Sequence, residues 1–218
     1  FFVPYLVFIP GFWLPCVAPL VGFFISFIFT LAFNYSIEGK QRRFIKSAFS
    51  QYLSPTVIET LISEPNQLKL GGERREISIY FSDVQGFTTI SEKLAETPEK
   101  LSEVLNKYLS SMTEIILETG GTIDKYEGDA IIAFWNAPLS QENHAERALT
   151  AAIRCQQKLQ EIRDELEQMC GKKIYQRIGL NTGFAVVGNM GSQSRFDYTM
   201  LGDSVNLASR LEGLNKQF

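Results

Sequence analysis

The sequence predicts an α+β domain, in which an antiparallel sheet carries helices on one face, preceded by an apolar segment long enough to cross a membrane. Three observations support this prediction. Strand and helix patterns follow one another in the order β-α-α-β-β-α-β-β-α from residue 74 onward. Two of the helical patterns are long and amphipathic. The first 33 of the 218 residues are almost all apolar.

Residues 1–36 form the predicted membrane region, which would contain the end of one span and one full span. Residues 11–36 carry no charge, and about 20 apolar residues suffice for a membrane-crossing helix. Basic residues follow this apolar segment, and such residues favour the cytoplasmic side of a membrane. We therefore expect a multi-pass protein of the inner cell membrane with a cytoplasmic domain. These basic residues are Lys40, Arg42, Arg43 and Lys46. The alternative is a buried core helix, which the many phenylalanines disfavour.

Residues 37–73 are predicted to form a helical connector. Apolar residues recur at helical spacing from Phe44 to Leu53, and Ser54 followed by Pro55 is typical of the start of a second helix. The sequence leaves two roles open for this connector, a conduit for a signal from the membrane and a plain spacer.

Residues 74–218 supply the pattern of strands and helices. "EISIYFSDV" alternates as a strand, "TPEKLSEVLNKYLSSMTEIILETGG" is an amphipathic helix that ends at two glycines, and "TIDKYEGDAIIAFWN" predicts two strands around a turn at Gly128. "YQRIGLNTGFAVVGNMG" predicts a strand, a turn and a strand, and "RFDYTMLGDSVNLASRLEGLN" a strand, a loop and a helix. The second long helix has the predicted inward residues Leu149, Ala152, Cys155, Leu159, Ile162 and Leu166.

The net charge and the few cysteines and histidines argue against two functions, nucleic-acid binding and zinc binding. The net charge is −3 and no dense basic face is present, so we expect no nucleic-acid partner. The three cysteines lack paired spacing and His144 is the single histidine, which argues against a zinc site.

Asp83 stands at the end of the first predicted strand, just before a helix start. Thr89 and Glu92 match the capping box T-x-x-E, which predicts that a helix begins near Thr89. Backbone N–H groups at such a start bind phosphate oxygens, and a carboxylate beside them requires a divalent cation between. The predicted phosphate-binding residues are Gly86, Phe87 and Thr88.

A second carboxylate, Asp129, lies in the turn between two short predicted strands. If these strands lie beside the first strand, Asp83 and Asp129 converge and can share two Mg²⁺ or Mn²⁺ ions, as in phosphoryl transfer. For the Gly-Asp pair alone, the alternative is that the aspartate merely favours the turn.

Four blocks of the sequence resemble the catalytic domain of class III nucleotidyl cyclases, of the bacterial membrane-anchored adenylate cyclase type. They are "FSDVQGFT", "DKYEGDAIIAFW", "GLNTGFAVVGNMGS" and "DYTMLGDSVNLASRLE", in the family's order and at similar spacing. The resemblance implies a ferredoxin-like α+β core that works as a head-to-tail homodimer. It also implies a reaction in which ATP or GTP becomes the 3′,5′-cyclic nucleotide and pyrophosphate.

The resemblance also implies individual roles. Asp83 and Asp129 match the metal-binding aspartates, Lys125 and Thr199 the two base-recognising positions, and Asn206 and Arg210 the pair that positions the ribose and stabilises the transition state. In the family, the metal aspartates come from one subunit and the other contacts from its partner. The family also continues with a strand-containing segment beyond the position of Phe218, so we expect residues 74–218 to be a C-terminally truncated catalytic domain.

The base-recognising positions favour ATP. The Lys125 ammonium can donate to adenine N1, and the Thr199 hydroxyl can accept from the N6 amino group. The sequence therefore predicts a membrane-anchored adenylate cyclase in intracellular signal transduction. The alternatives are a guanylate cyclase, which Lys125 disfavours, and an inactive cyclase-like module for nucleotide sensing or dimerisation, which the complete set of site residues disfavours.

Overall fold

The computed structural model describes residues 20–30, 72–191 and 196–217. The chain divides into two compact units, Phe1–Ser47 and Ala48–Phe218. In the first unit, residues 20–30 form helix α1, whose apolar side chains are exposed. No helix among the described residues is both long enough and apolar enough to span a membrane. The predicted membrane region 1–36 and connector 37–73 lie mostly outside the described residues.

The second unit contains five strands and four helices within its described residues. The strands are β1 (Glu73–Val84), β2 (Thr122–Glu127), β3 (Ala130–Trp135), β4 (Gln176–Gly191) and β5 (Phe196–Leu201). The helices are α2 (Phe87–Lys93), α3 (Pro98–Glu118), α4 (His144–Cys170) and α5 (Asp203–Leu214). The strands form one antiparallel sheet in the order β2-β3-β1-β4-β5. The predicted α+β class is confirmed, and the order of elements agrees with the prediction except within β4.

Helices α3 and α4 pack on one face of the sheet and enclose the main core. Tyr80 of β1 and Trp135 of β3 are fully buried there. Most predicted inward residues of α4 are buried, but Leu149 is 53% exposed, and Ala148 and Ala151 are buried in its place. The prediction for Leu149 was wrong because small alanines, rather than the larger leucine, occupy the stripe of α4 that faces the core.

Helix α5 packs on the opposite face, so the prediction that all helices share one face was wrong. Successive side chains of a strand point to opposite faces, and Gly179 therefore faces away from the core that receives Leu180. A Cβ atom at Gly179 would lie 2.3 Å from the carbonyl oxygen of Ala208 and 2.3 Å from the backbone nitrogen of Glu212. The missing side chain thus lets the backbone of α5 lie directly on β4.

Strand β4 is continuous, whereas the sequence predicted a turn within it. Its register against β1 runs unbroken from Gln176, opposite Val84, to Val187, opposite Glu73. The central glycine, Gly183, instead accommodates α5, because a Cβ atom there would lie 2.5 Å from the Ser204 hydroxyl. The long pairing of β1 with β4 fixes which β4 residue faces each β1 residue near the strand end.

Candidate active site

Two carboxylates meet where β1 ends. Strand β3 pairs with β1 up to Ser82, opposite Ile131, so the β2–β3 turn lies beside Asp83. The Oδ2 atom of Asp129 in that turn accepts the Val84 backbone N–H at 2.9 Å, and the Asp83 carboxylate is close enough to raise the pKa of Asp129. The turn at Gly128, whose φ is 65°, is as predicted. The structure therefore brings together the two residues predicted to bind metal.

Asp129 is only partly exposed, so water stabilises its negative charge less than it would at an open surface. Burial raises the pKa of Asp129 to about 6, and the hydrogen bond and negative charge of Asp83 act in the same direction. A carboxyl group with a raised pKa beside a second carboxylate favours either a shared proton or a bound cation. This chemistry fits a divalent metal ion.

Arg177 forms an ion pair with Asp83, and the sequence analysis missed it. Arg177 lies opposite Asp83 in the β1–β4 register and donates from Nη2 to the Oδ2 atom of Asp83. Its Nε atom donates to Oε1 of Glu212 in α5 at 2.8 Å. The side chains of Arg177 and Glu212 are 12% and 13% exposed, so this arrangement is largely shielded from water.

The described residues contain no cluster of three or more histidine, cysteine, aspartate or glutamate side chains that could hold a metal ion. Mg²⁺ often binds through only one or two carboxylates, with substrate phosphates and water as further ligands. Asp83 and Asp129 therefore fit a cation that substrate phosphates and water help to hold.

The loop after β1 differs from the predicted capping box. Helix α2 begins at Phe87, with Gly86 as its N-cap residue and no side-chain cap, and the Thr89 backbone N–H donates to the Gly86 carbonyl at 3.2 Å. Gly86 has a φ of 69°, a left-handed conformation that glycine adopts without strain and that turns the chain directly after β1. Gly86, Phe87 and Thr88 remain predicted phosphate ligands.

The two predicted base-recognising residues meet around a third residue that the sequence analysis did not single out. Lys125 lies in β2 and Thr199 in β5, at the two edges of the sheet. Thr199 Oγ1 donates to Oδ2 of Asp124 at 2.7 Å, and Lys125 Nζ lies 3.7 Å from Oδ1 of Asp124. Asp124 is only 3% exposed. The structure therefore places Lys125 and Thr199 in one cluster with a buried carboxylate between them.

Asn206 and Arg210 lie one turn apart on α5. Both are exposed, while Ala208 between them is fully buried against the sheet. Residues four apart in a helix share a face, so both side chains point to the same solvent-facing side, as predicted. That side is accessible to a nucleotide or to a second chain.

Comparison with known proteins identifies the class to which this site belongs. The adenylate and guanylate cyclase catalytic domain model matches residues 72–217, so the chain belongs to this family. The adenylate cyclase of Anabaena cylindrica is 39% identical over 181 residues, which are 81% of this chain and 33% of that protein. The chain thus spans about a third of the length of this relative.

Two solved structures show that overall similarity does not determine the base. The guanylyl cyclase Cya2 is 41% identical with a TM-score of 0.62, over 66% of this chain and 72% of that chain. The adenylyl cyclase CyaB from P. aeruginosa is 39% identical with a TM-score of 0.63, over 66% and 74%. Because these values are nearly equal, base preference must be argued from the residues that would contact the base.

Proposed function

We propose that this chain is the catalytic part of an adenylate cyclase, which converts ATP to 3′,5′-cyclic AMP and pyrophosphate. The observation that carries the proposal is the meeting of Asp83 and Asp129 at the end of β1, in a domain of the cyclase family. The resemblance to the Anabaena adenylate cyclase supports the same activity.

Asp83 and Asp129 would hold two Mg²⁺ or Mn²⁺ ions. Such ions, when bound, lower the pKa of the ribose 3′-hydroxyl and offset the charge of the triphosphate. The chain's own contribution is to fix the two carboxylates: the Val84 N–H holds Asp129 and the β1–β4 register holds Asp83. Phosphate oxygens would bind beside these carboxylates, to the backbone N–H groups of Gly86, Phe87 and Thr88.

The remaining residues would act on the base, the ribose and the α-phosphate. Lys125 would donate to adenine N1 and Thr199 would accept from the N6 amino group. Arg210 offers a planar set of donors for the charge that develops on the α-phosphate, and Asn206 on the same face of α5 would position the ribose.

Two chains would be needed for each site. Asn206 and Arg210 lie on the exposed side of α5, whereas Asp83 contacts Arg177, which also binds Glu212 of the same domain. A second chain could therefore present its Asn206 and Arg210 to the first chain's carboxylates, which gives a homodimer with two equivalent sites. Anchoring of this dimer to the inner membrane through residues 1–36 belongs to the same proposal, in a role of intracellular signal transduction.

The test is turnover of each nucleotide. The full chain is incubated with Mn²⁺ and either ATP or GTP, and the products are separated by chromatography. We expect cyclic AMP and pyrophosphate in equal amounts, with a lower kcat/KM for GTP. A higher kcat/KM for GTP would identify a guanylate cyclase instead, and no cyclic product from either nucleotide would overturn the assignment to an active cyclase.

A further inference from the structure

Asp124 is a buried carboxylate whose position is not explained by the proposed roles of its neighbours. It lies in β2 directly before Lys125, at 3% exposure. Its Oδ2 atom accepts the Thr199 hydroxyl hydrogen at 2.7 Å. Its Oδ1 atom has no hydrogen-bond partner and forms an ion pair with Lys125 Nζ at 3.7 Å. A buried carboxylate oxygen without a hydrogen bond costs stability, so stability alone does not explain a carboxylate at this position.

The hydrogen bond from Thr199 to Asp124 determines what Thr199 can offer to a ligand. A threonine hydroxyl has one hydrogen to donate and two lone pairs that accept. An ionised carboxylate only accepts, so the hydroxyl hydrogen must point toward Asp124. The lone pairs of Thr199 Oγ1 are then the groups left for a ligand. Thr199 in this arrangement is an acceptor, as an aspartate would be.

Adenine and guanine differ in the group that would meet this acceptor. Adenine carries an N6 amino group, which donates, where guanine carries O6, which accepts. A hydroxyl held as an acceptor can accept a hydrogen bond from the adenine amino group. With guanine, the lone pairs of the hydroxyl oxygen and of O6 would face and repel each other. A hydroxyl that is free to rotate can accept from the adenine amino group or donate to guanine O6.

We infer that Asp124 is a positioning residue for base selectivity: by accepting the Thr199 hydroxyl hydrogen it makes Thr199 an acceptor and so favours ATP over GTP. This inference rests on the proposed function, because it concerns the base that the same site binds. Asp124 acts through Thr199 rather than by contact with the nucleotide.

The state of the neighbouring charges supports this role. Burial raises the pKa of Asp124, while the hydrogen bond from Thr199 and the positive charge of Lys125 lower it. Lys125 therefore helps to keep the carboxylate ionised, and the same ammonium would face adenine N1. One carboxylate thereby links both base-recognising side chains.

The test compares nucleotide preference in the full chain and its variants. We measure kcat/KM for ATP and GTP, and the Kd of their non-hydrolysable α,β-methylene analogues, in the wild type, Asp124→Asn and Asp124→Leu. The asparagine amide can donate to Thr199 Oγ1 and the leucine cannot accept from it, so either variant frees the hydroxyl hydrogen for guanine. We expect the ratio of kcat/KM for ATP to kcat/KM for GTP to fall about tenfold. This change corresponds to the free energy of roughly one hydrogen bond. The control, Asp164→Asn on the exposed side of α4, should keep the ratio.

A double-mutant cycle separates positioning from a general structural effect. In a Thr199→Val background the hydroxyl is absent, so Asp124→Asn should then change the ratio less than about twofold. Loss of activity toward ATP and GTP alike, or an unchanged ratio in folded Asp124 variants, would overturn the inference while leaving the proposed function intact. A wild-type chain that forms no cyclic nucleotide would overturn the proposed function and the inference with it.

Discussion

Arg177 and Asp83 stand directly opposite each other in the pairing of β4 with β1, and the guanidinium of Arg177 donates to the carboxylate of Asp83. Glu212 binds the same guanidinium from α5. One arginine therefore balances two carboxylates, and it would compete with a metal ion for Asp83.

Arg177→Gln should destabilise the metal-free protein. The change leaves Asp83 and Glu212 without their shared cation, and breaking a largely buried ion pair costs about 3 kcal/mol. We expect the thermal midpoint to fall by about 6–12 °C, and added Mn²⁺ to raise it more than in the wild type. The control is Arg154→Gln, whose pair with Glu118 is exposed and should contribute less than about 1 kcal/mol. Equal destabilisation by the two variants would contradict the role assigned to Arg177.

Asp129→Asn should have the opposite effect on the metal-free protein at neutral pH. The pKa of Asp129 is raised to about 6, above the value of about 4 for an unfolded aspartate. A carboxyl group with a raised folded-state pKa destabilises the fold as the pH rises through this window, because the folded state must lose its proton at a cost. Asparagine keeps an acceptor for the Val84 N–H without the charge.

We therefore expect the thermal midpoint of metal-free Asp129→Asn to exceed that of the wild type by about 2–4 °C at pH 7.5, with the difference vanishing near pH 4. Mn²⁺ should stabilise only the wild type. Thermal scans at both pH values, with EDTA or Mn²⁺, give the comparison. A variant less stable than the wild type at pH 7.5 would show that the negative charge of Asp129 does not strain the apo fold.

Gly179→Ala should displace α5. Its methyl group would lie 2.3 Å from backbone atoms of α5, and such overpacking costs about 1–3 kcal/mol or more. The matched control is Gly213→Ala in α5 itself, where a Cβ atom meets nothing within 4 Å and alanine favours the helix. Urea unfolding should show a loss for Gly179→Ala and a small gain for Gly213→Ala. A neutral Gly179→Ala would mean that α5 does not lie on β4 as described.

Mixing two inactive variants tests the shared site. Asp83→Ala removes a metal ligand and Arg210→Ala removes the α-phosphate donor, so each homodimer should be inactive. A heterodimer carries one intact site, and equal mixing should restore about a quarter of the wild-type cyclic AMP formation if chains exchange at random and both sites act independently. Heterodimer formation is checked by co-purification through a tag on one variant. No recovery from confirmed heterodimers would argue for a site built within one chain.

The sequence predicted the parts of the site that depend on local patterns. The alternation of β1 placed Asp83 at a strand end, and the Gly-Asp turn placed Asp129 between two strands. Asn206 and Arg210 were singled out by the family resemblance, and the helical spacing of α5 predicted that they share one face. These predictions held because strand, turn and helix periodicities are short-range properties of the chain.

The missed features depend on pairing between distant segments. Arg177 faces Asp83 only because β4 pairs with β1 in one register, and Asp124 meets Thr199 only because β2 and β5 approach each other from opposite edges of the sheet. One signal was available: Gly179 and Gly183 share a face of β4, and such a glycine pair indicates a close backbone neighbour. That spacing could have predicted the position of α5.

In the proposed function, Asp83 and Asp129 together hold the metal ions for cyclisation of ATP. The most direct measurement is the rate of cyclic AMP formation from ATP and Mn²⁺ by the wild type, Asp83→Ala, Asp129→Ala and the exposed control Asp164→Asn, with dimer content measured in parallel. We predict that each of the two alanine variants loses at least about a hundredfold in kcat/KM, with the dimer retained and the control unchanged. Wild-type activity in either alanine variant would contradict the assignment of the metal site.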